Sequence, residues 1–274
     1  MQLSEINIYP IKSLGGISLN ESVVEEKGLQ FDRRWMLVDE NGKFFTQREF
    51  PKMATLKVSL ETDGLRVSAQ NDNLLIPFSE NGAGEEIQVE IWNSKLTAQT
   101  SENTINEWFS DALQTNCRLV RMNQNSSRQV NPIYAVRKFQ DTVSFADGYP
   151  VLLIGEGSLA DLNSKLENPI PMNRFRPNLV VKNSEAFAED TWKSIKIGET
   201  IFYIVKPSER CVMTTIDQAK GVSDGKEPLK TLATYRLVKK DGASKILFGQ
   251  NLIAENAGEM IKIGDKAEVL ETKE

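Results

Sequence analysis

The chain has 274 residues, of which 40% are hydrophobic and 26% are charged, and its formal net charge is −5. This is ordinary globular composition, with enough length for one large domain or two of usual size. The acidic balance argues against nucleic acid as the main partner. The sequence contains no histidine, which excludes Ser-His-Asp and Cys-His nucleophilic pairs and histidine-bound zinc, haem or iron.

The first hundred residues alternate apolar and polar side chains, as β-strands do. Residues 3–9 predict the first strand. Apolar runs on either side of Asn41-Gly42 predict a hairpin, because this dipeptide favours a two-residue turn. A second hairpin is predicted between 56–60 and 65–69, and a further strand over 87–92.

Later segments predict a few helices among further strands. Apolar residues at helical spacing predict helices over about 102–114 and near 157–167. A third helix is predicted to start near Pro228, since proline suits the first turn of a helix. The polar segment 123–131 predicts a loop or a domain boundary. The fold class expected from these elements is mainly β with a few helices.

Cys211 is the residue that points most directly to a function. The apolar run 201–205 predicts a buried strand, which we expect to break at Pro207 and leave Cys211 among polar neighbours. The adjacent Arg210 favours the thiolate, the form of cysteine that attacks substrates or binds metal. An ordinary buried thiol is the alternative, because free cysteine is often buried. Cys117, at the end of the first predicted helix, is interpreted as structural.

The sequence also predicts the cellular setting and narrows the chemistry. No apolar run approaches the roughly 20 residues that a membrane helix needs, and the first residues lack the features of a signal peptide. Two cysteines cannot hold an iron–sulfur cluster that needs four. No phosphate-binding GxxxxGK[ST] loop is present. We therefore expect a cytoplasmic protein with neither a membrane nor a nucleic-acid partner.

Polar residues cluster in four regions of the chain. Taken singly, each cluster is also explained by an exposed turn or a solvated strand end. Candidate site residues in the first half are Lys12, Ser13, Arg33 and Arg48. Candidates in the second half are Asp147, Arg176, Asn178, Cys211, Thr214, Thr215 and Asp217.

Taken together and in order, these segments resemble the molybdenum cofactor sulfurase C-terminal (MOSC) family. The chain is most similar to members with an N-terminal β-barrel-like domain, such as the mitochondrial amidoxime-reducing components and their bacterial relatives. The resemblance covers nearly the whole chain and rests on YPIKS near residue 9, DRRWMLV near 32, SLADLNSKL near 158, NRFRPNLVV near 173, SERCVMTTID near 208, KEPLKTLATYR near 226 and LFGQN near 247. It implies an N-terminal β-rich domain over 1–122 and a MOSC β-barrel domain over 123–274.

The resemblance implies that Cys211 binds the molybdenum of a pterin cofactor, the molybdenum cofactor. It also implies roles for the other candidates. The pterin and its phosphate would be held by Lys12, Ser13, Arg33, Arg176 and Asn178, with Arg48 as a weaker match. Thr214 and Thr215 would hydrogen-bond near the cofactor. Asp147 and Asp217 are candidate catalytic groups that orient or deliver a proton, with a turn residue as the alternative for each.

The implied activity is that of a molybdenum-dependent reductase of small N-hydroxylated or N-oxygenated molecules. Electrons would come from a separate ferredoxin, flavodoxin or cytochrome-type protein, because the chain has no four-cysteine ferredoxin domain. Two alternatives stay open: a sulfur carrier with a persulfide on Cys211, and a cofactor-binding module without turnover. One departure from the family pattern is Glu49, where members often have glutamine. A carboxylate there would weaken phosphate binding if it pointed inward.

Overall fold

Strands form most of the regular structure in this computed structural model, which describes residues 1–70, 72–79, 84–123, 125–223, 225–240 and 242–273. The strands of the first half are β1 (Gln2–Ile8), β2 (Ile17–Leu19), β3 (Glu21–Glu25), β4 (Gly28–Leu29), β5 (Trp35–Val38), β6 (Lys57–Leu60), β7 (Gly64–Ala69), β8 (Asp72–Pro77), β9 (Glu86–Ile91), β10 (Ser94–Thr100) and β11 (Arg118–Met122).

The second half adds ten more strands. They are β12 (Val151–Gly155), β13 (Leu179–Lys182), β14 (Trp192–Ile197), β15 (Thr200–Arg210), β16 (Ile216–Asp217), β17 (Val222–Ser223), β18 (Leu237–Lys240), β19 (Ala243–Ala254), β20 (Met260–Lys262) and β21 (Ala267–Thr272). The α-helices of the described ranges are α1 (Asn103–Leu113), α2 (Glu156–Asn163) and α3 (Leu229–Tyr235). The predicted class, mainly β with a few helices, is confirmed.

The largest sheet has nine strands in the order β2-β1-β13-β12-β19-β15-β14-β21, with β18 paired to β19. Its neighbours are antiparallel except for the parallel pair β12 and β13. The strand β15 does not end at Pro207, as the sequence suggested, but continues to Arg210. Proline is tolerated there because the pairing with β19 shifts register between Pro207 and Glu209, and proline occurs in sheets at such irregularities.

The beginning of the chain belongs to this same sheet. Strand β1 pairs antiparallel with β13, with Ile6 opposite Leu179, and β3 pairs with β20 near the other end of the chain. The core of this region buries Leu3 and Ile6 together with Leu153 and Phe202. Strands from both sides of residue 122 therefore share one core, and the division into 1–122 and 123–274 stays a prediction.

A second core lies under the sheets β5-β11-β10-β9 and β6-β7-β8. Helix α1 covers it with Ile105, Phe109 and Leu113, which fall on one helical face because they are four residues apart. Cys117 is buried in this core, and the burial raises the pKa of its thiol to about 11 although Ser110 opposes the shift. Its surroundings are those of a structural cysteine.

The predicted hairpins and helices are found with adjustments. Strands β6 and β7 form the expected hairpin. At Asn41-Gly42, Val38 and Phe44 make an isolated bridge, while β5 pairs with β11. Helix α2 ends four residues before the predicted limit because the side chain of Asn163 exchanges two hydrogen bonds with the backbone of Ile170 and turns the chain. Within the described ranges, none of the helices has the length and apolar character needed to cross a bilayer.

We predict that Gly28→Ala destabilises the protein more than Gly258→Ala. Both glycines have a positive φ, at 108° and 99°. A Cβ on Gly28 would lie 2.5 Å from the carbonyl oxygen of Pro150, whereas a Cβ on Gly258 meets nothing within 4 Å. Gly258→Ala is expected to cost about 1–2 kcal/mol through its backbone alone. Gly28→Ala is expected to cost about 1–3 kcal/mol more through overpacking.

Urea denaturation of the two variants and the wild type measures these free energies of unfolding. If both variants lose the same free energy of unfolding, the added Cβ at Gly28 is accommodated beside Pro150 without strain, and the prediction is wrong.

Candidate functional site

Cys211 lines a cleft of about 370 Å³ at the end of β15. Nine of the eleven predicted site residues line the same cleft, although they come from distant parts of the chain. These nine are Lys12, Ser13, Arg33, Arg48, Asp147, Arg176, Asn178, Cys211 and Thr214. The fold therefore brings the first-half cations to the second-half thiol.

The cleft has a strong excess of basic side chains. Its basic residues are Lys12, Arg33, Arg48, Arg174, Arg176, Lys206 and Arg210, and its acidic residues are Asp147 and Glu209. The whole chain has a net charge of −5, so positive charge is concentrated here. Such a cleft attracts and binds an anion. A larger groove of about 770 Å³ elsewhere holds none of the predicted residues, and its lining mixes both charge signs.

The Cys211 thiol contacts an arginine from the first half of the chain. Nη2 of Arg48 donates a hydrogen bond to Cys211 Sγ at 3.3 Å. Arg210, the expected partner, instead donates to the carbonyl oxygens of Phe248 at 2.7 Å and Phe175 at 3.2 Å. The physical reason is that the Arg210 guanidinium is held by these two carbonyl oxygens, although Arg210 and Cys211 line the same cleft.

Arg210 nevertheless has an unused donor. Burial lowers the pKa of its guanidinium to about 10, and the nearby Cys211 opposes that shift. Nη2 of Arg210 is buried and has no hydrogen-bond partner among the described residues. A buried donor without a partner is costly, and the packing around Arg210 is therefore unfavourable at this atom.

Lys12 and Asp147 form an ion pair in the cleft. Nζ of Lys12 donates to Oδ1 of Asp147 at 2.6 Å, and Nε1 of Trp92 donates to the same oxygen at 3.2 Å. The Lys12 side chain is 7% exposed, whereas that of Asp147 is 63% exposed because it faces the open cleft. The pair therefore presents its carboxylate to whatever the cleft binds.

The pKa values of Lys12 and Asp147 are shifted by different causes. Burial lowers the pKa of Lys12 to about 8, although Asp147 opposes the shift. Partial loss of hydration inside the cleft would by itself raise the pKa of Asp147, but Lys12, Arg48 and Arg33 hold it well below its usual range. Asp147 is thus a carboxylate at neutral pH. Lys12 is the member of the pair that gives up its proton nearer neutrality.

Arg33 and Arg176 both stack on Tyr9. Their guanidinium carbons lie 4.4 Å and 4.1 Å from the centre of its ring. Burial lowers the pKa of Arg176 to about 10, so it keeps its charge at neutral pH. Burial also acts to lower the pKa of Arg33, but Asp32, whose Oδ2 accepts from Arg33 Nη1 at 2.7 Å, makes the net shift upward. Two charged guanidinium groups are thus held in place by one aromatic ring.

Asn178 lies in the cleft wall, but its side chain bonds to the protein. Its Oδ1 accepts hydrogen bonds from Arg33 Nη1 at 3.1 Å and from the backbone N–H of Leu152 at 3.2 Å. Its Nδ2 donates to the carbonyl oxygen of Asn7 at 3.1 Å. Asn178 therefore joins β1 and β12 and positions Arg33, rather than presenting a free amide to a ligand.

Four of the cleft residues have left-handed backbone conformations. Their φ values are 69° for Ser13, 50° for Arg33, 53° for Trp92 and 54° for Arg176. Such a conformation costs a residue with a side chain about 1–2 kcal/mol. Strained residues of this kind cluster at functional sites. The fold thus maintains these side chains in the cleft against a local backbone cost.

Two predicted residues do not line the cleft. The Asp217 carboxylate accepts hydrogen bonds from the backbone N–H groups of Ala219 and Lys220, at 2.9 Å and 3.1 Å, and the first of these bonds is the main cause of its lowered pKa. This is the geometry of a turn residue. Thr215 donates to the carbonyl oxygen of Val212 at 2.8 Å.

The remaining predictions are placed as follows. Thr214 lines the cleft and donates to the carbonyl oxygen of Cys211 at 3.0 Å, which stabilises the turn after the cysteine. Glu49, the departure noted in the sequence, is exposed and does not line the cleft.

The sequence reasoning missed several residues that support the site. Arg128, in the segment predicted as a loop or boundary, is buried and donates to the carbonyl oxygens of Ser144 at 2.9 Å and Asp147 at 2.8 Å. It therefore fixes the loop that carries Asp147. Gln218 Nε2 donates to Gln47 Oε1 at 2.9 Å and links the two halves beside the cleft. Arginine in a polar stretch gives no sequence signal of burial, so only its tertiary contacts reveal it.

The protein supplies few metal ligands of its own. Across the described ranges, no group of three or more histidine, cysteine, aspartate or glutamate side chains is arranged to hold a metal ion. A metal in this cleft would thus take one protein ligand, the soft sulfur of Cys211, and its other ligands from a cofactor.

Comparisons with known proteins identify the family of this chain. The profile of the MOSC N-terminal beta barrel domain matches residues 1–116, and that of the MOSC domain matches residues 140–268. The mitochondrial amidoxime-reducing component 1 of Mus musculus is 33% identical over 98% of this chain and 82% of its own length. The mitochondrial amidoxime reducing component 2 of Bos taurus is 34% identical over 96% of this chain and 81% of its own length.

A longer relative matches as well. The molybdenum cofactor sulfurase of Oryza sativa subsp. japonica is 34% identical over 91% of this chain, which spans 32% of the sulfurase. Among solved structures, YiiM from Geobacillus stearothermophilus overlaps 45% of this chain and 55% of its own at 13% identity, with a TM-score of 0.32. That overlap is too small to bear on the fold.

We predict that the ligand-free cleft binds sulfate less tightly as pH rises through about 8, where Lys12 loses its proton. Sulfate keeps its charge over this range, so the change belongs to the protein. Loss of one cation at contact distance is expected to weaken binding about fivefold between about pH 7 and pH 9. Nuclear magnetic resonance titrations at several pH values measure the affinity.

Two variants locate the effect. Lys12→Arg should keep its affinity across this range, because arginine stays protonated. Asp147→Asn should move the midpoint below that of the wild type, because Asp147 raises the pKa of Lys12. Sulfate affinity that does not vary with pH in the wild type would contradict the assignment to Lys12.

Proposed function

This chain belongs to the MOSC family, and we propose that it is a molybdenum-cofactor-dependent reductase of small N-oxygenated molecules. The observation that carries the proposal is the cleft itself. An acidic chain gathers seven basic residues around one half-buried thiol. That combination suits an anionic cofactor with a soft metal at one end.

The residues present fit such a cofactor. Cys211 offers a single soft thiolate, which is enough when the pterin supplies the other sulfur ligands. Arg33 and Arg176 keep their charges at neutral pH and would bind the phosphate of the cofactor. Lys12 and Ser13 would hold the pterin beside them.

Other cleft residues would position Cys211 and Arg33 rather than contact the cofactor themselves. Arg48 would stabilise the Cys211 thiolate through its hydrogen bond to Sγ. Asn178 would position Arg33, and Thr214 would hold the turn after Cys211. The contacts of Thr215 and Asp217 suit roles in supporting this turn rather than direct contact with substrate.

The bound cofactor would supply two-electron redox chemistry at the metal. Removing an oxygen from nitrogen as water also consumes two protons. Lys12, with a pKa of about 8, is suited to hold and release a proton at Nζ. Asp147 would remain a carboxylate that orients the Lys12 ammonium and accepts a hydrogen bond from the substrate.

The relatives support the choice of substrate class. Two of them are named for amidoxime reduction, so N-hydroxylated amidines are the first substrates to test. A separate ferredoxin, flavodoxin or cytochrome-type protein would deliver electrons, since two cysteines and no histidine leave this chain without a centre of its own to relay them. The expected cytoplasmic location stays a prediction.

We predict that wild-type protein from a cofactor-making host contains about one molybdenum atom per chain and that Cys211→Ala contains none, because no second cysteine lines the cleft to supply a thiolate. Elemental analysis by mass spectrometry measures the metal. The loaded wild type should reduce an N-hydroxylated amidine with a chemical reductant such as reduced viologen, and Cys211→Ala should not.

The matched control is Cys117→Ala, which removes the buried cysteine of the other core and should keep both molybdenum and turnover. Metal without turnover would favour a binding module over a reductase. Sulfur bound to Cys211 in metal-free protein, seen as an added mass of one sulfur atom, would favour the sulfur carrier.

A further inference from the structure

Trp92 occupies an unusual position at the edge of the cleft. It lies in the two-residue connection between β9 and β10, where Ile91 pairs with Ser94. Its φ of 53° places a bulky residue in the left-handed region, which favours glycine or asparagine. Its side chain lines the cleft and is 39% exposed. Neither backbone preference nor burial accounts for a tryptophan at this position.

The contacts of Trp92 reach both sides of the site. The Arg48 guanidinium lies over its ring, 4.7 Å from the centroid. Its indole N–H donates to Asp147 Oδ1 at 3.2 Å. The Trp92 ring packs edge-on against Phe44, with 5.0 Å between centroids, and this contact fixes the orientation of the indole.

These contacts join two interactions that are otherwise separate. Arg48 donates to Cys211 Sγ, and Asp147 accepts from Lys12. Arg48 has a long side chain with many rotamers, and fixing it at the sulfur costs conformational entropy. The Trp92 ring lowers this cost because it already holds the guanidinium in place. Because Trp92 is itself held by Phe44, the hairpin β9–β10 sets the position of both charged groups.

We infer that Trp92 is a positioning residue of this cleft: its ring holds Arg48 against Cys211, and its indole N–H fixes the Asp147 carboxylate beside Lys12. The inference deepens the proposed function and rests on it for its catalytic meaning. Its geometry, however, is testable in ligand-free protein.

The first experiment measures positive charge at the sulfur. Cys211 is alkylated at one pH with anionic iodoacetate and with neutral iodoacetamide, and the ratio of the two rates is compared among variants. Both reagents attack the same thiolate, so the ratio does not depend on how much of the thiol is ionised. Cys117 is buried, and mass spectrometry confirms which cysteine has reacted.

Arg48→Gln sets the scale, because removing one cation near the sulfur should lower the ratio about fivefold. We expect Trp92→Gly to lower the ratio to a similar extent, because the Arg48 guanidinium then has no ring to stack on. Glycine suits the left-handed backbone at this position, so the hairpin is retained. Trp92→Phe keeps an aromatic face and should stay within about twofold of the wild type.

Trp108→Phe is the matched control. The Trp108 indole also donates to an aspartate, Asp72 Oδ2 at 2.7 Å, but this residue does not line the cleft. Its ratio should equal that of the wild type. Thermal melting of each variant confirms folding before alkylation.

The second experiment tests the contact with Asp147. The chain has four tryptophans, so a nitrogen–proton correlation spectrum contains four indole signals. The signal missing in Trp92→Phe should be the one that moves in Asp147→Asn. The Trp108 signal should not move.

If Trp92→Gly has the same ratio of alkylation rates as the wild type while Arg48→Gln has a lower one, Trp92 does not hold Arg48 at the sulfur. An unchanged ratio in Arg48→Gln would remove the Arg48–Cys211 contact on which that role depends. A Trp92 indole signal that does not move in Asp147→Asn would contradict the hydrogen bond between Trp92 and Asp147. Both experiments use metal-free protein, in which the Cys211 sulfur is free to react, so their outcome is distinct from failure of the proposed function.

Discussion

The site depends on basic side chains gathered in one cleft, where ion pairs such as Lys12–Asp147, Arg33–Asp32 and Lys206–Glu209 balance part of their charge. Seven basic and two acidic residues line a cleft in a chain whose net charge is −5. Burial lowers the pKa of Lys12, Arg176 and Arg210, because removing a cation from water disfavours its charged form. The excess of basic side chains makes the cleft suited to an anion.

That charge is assembled only when distant parts of the chain meet. Strand β1 hydrogen-bonds to β13, Gly28 approaches Pro150, and Arg48 reaches Cys211. Each contact joins residues more than a hundred positions apart. The sulfur and its cation therefore come from opposite halves of the sequence, and the site exists only in the complete fold.

The geometry also separates groups that meet a ligand from groups that position them. Asn178 and Arg128 form their hydrogen bonds with protein atoms and hold Arg33 and the Asp147 loop. Asp147, a candidate proton carrier from its sequence context, is kept ionised by its neighbours, whereas Lys12 has a pKa near 8. In the proposed reaction, Lys12 is therefore the candidate that releases a proton, and Asp147 is the candidate that orients it.

The sequence by itself determined the class of fold, the limits of α1 to within a residue, and nine of the residues that line the cleft, because apolar periodicity and ordered motifs are local properties of the chain. Tertiary structure alone decided that β15 continues past Pro207, that Arg48 rather than Arg210 contacts the thiol, and that Asp217 ends in a turn. It also placed Trp92 between two charged groups. These outcomes depend on register, on the direction of each side chain and on partners far along the chain, which no local pattern encodes.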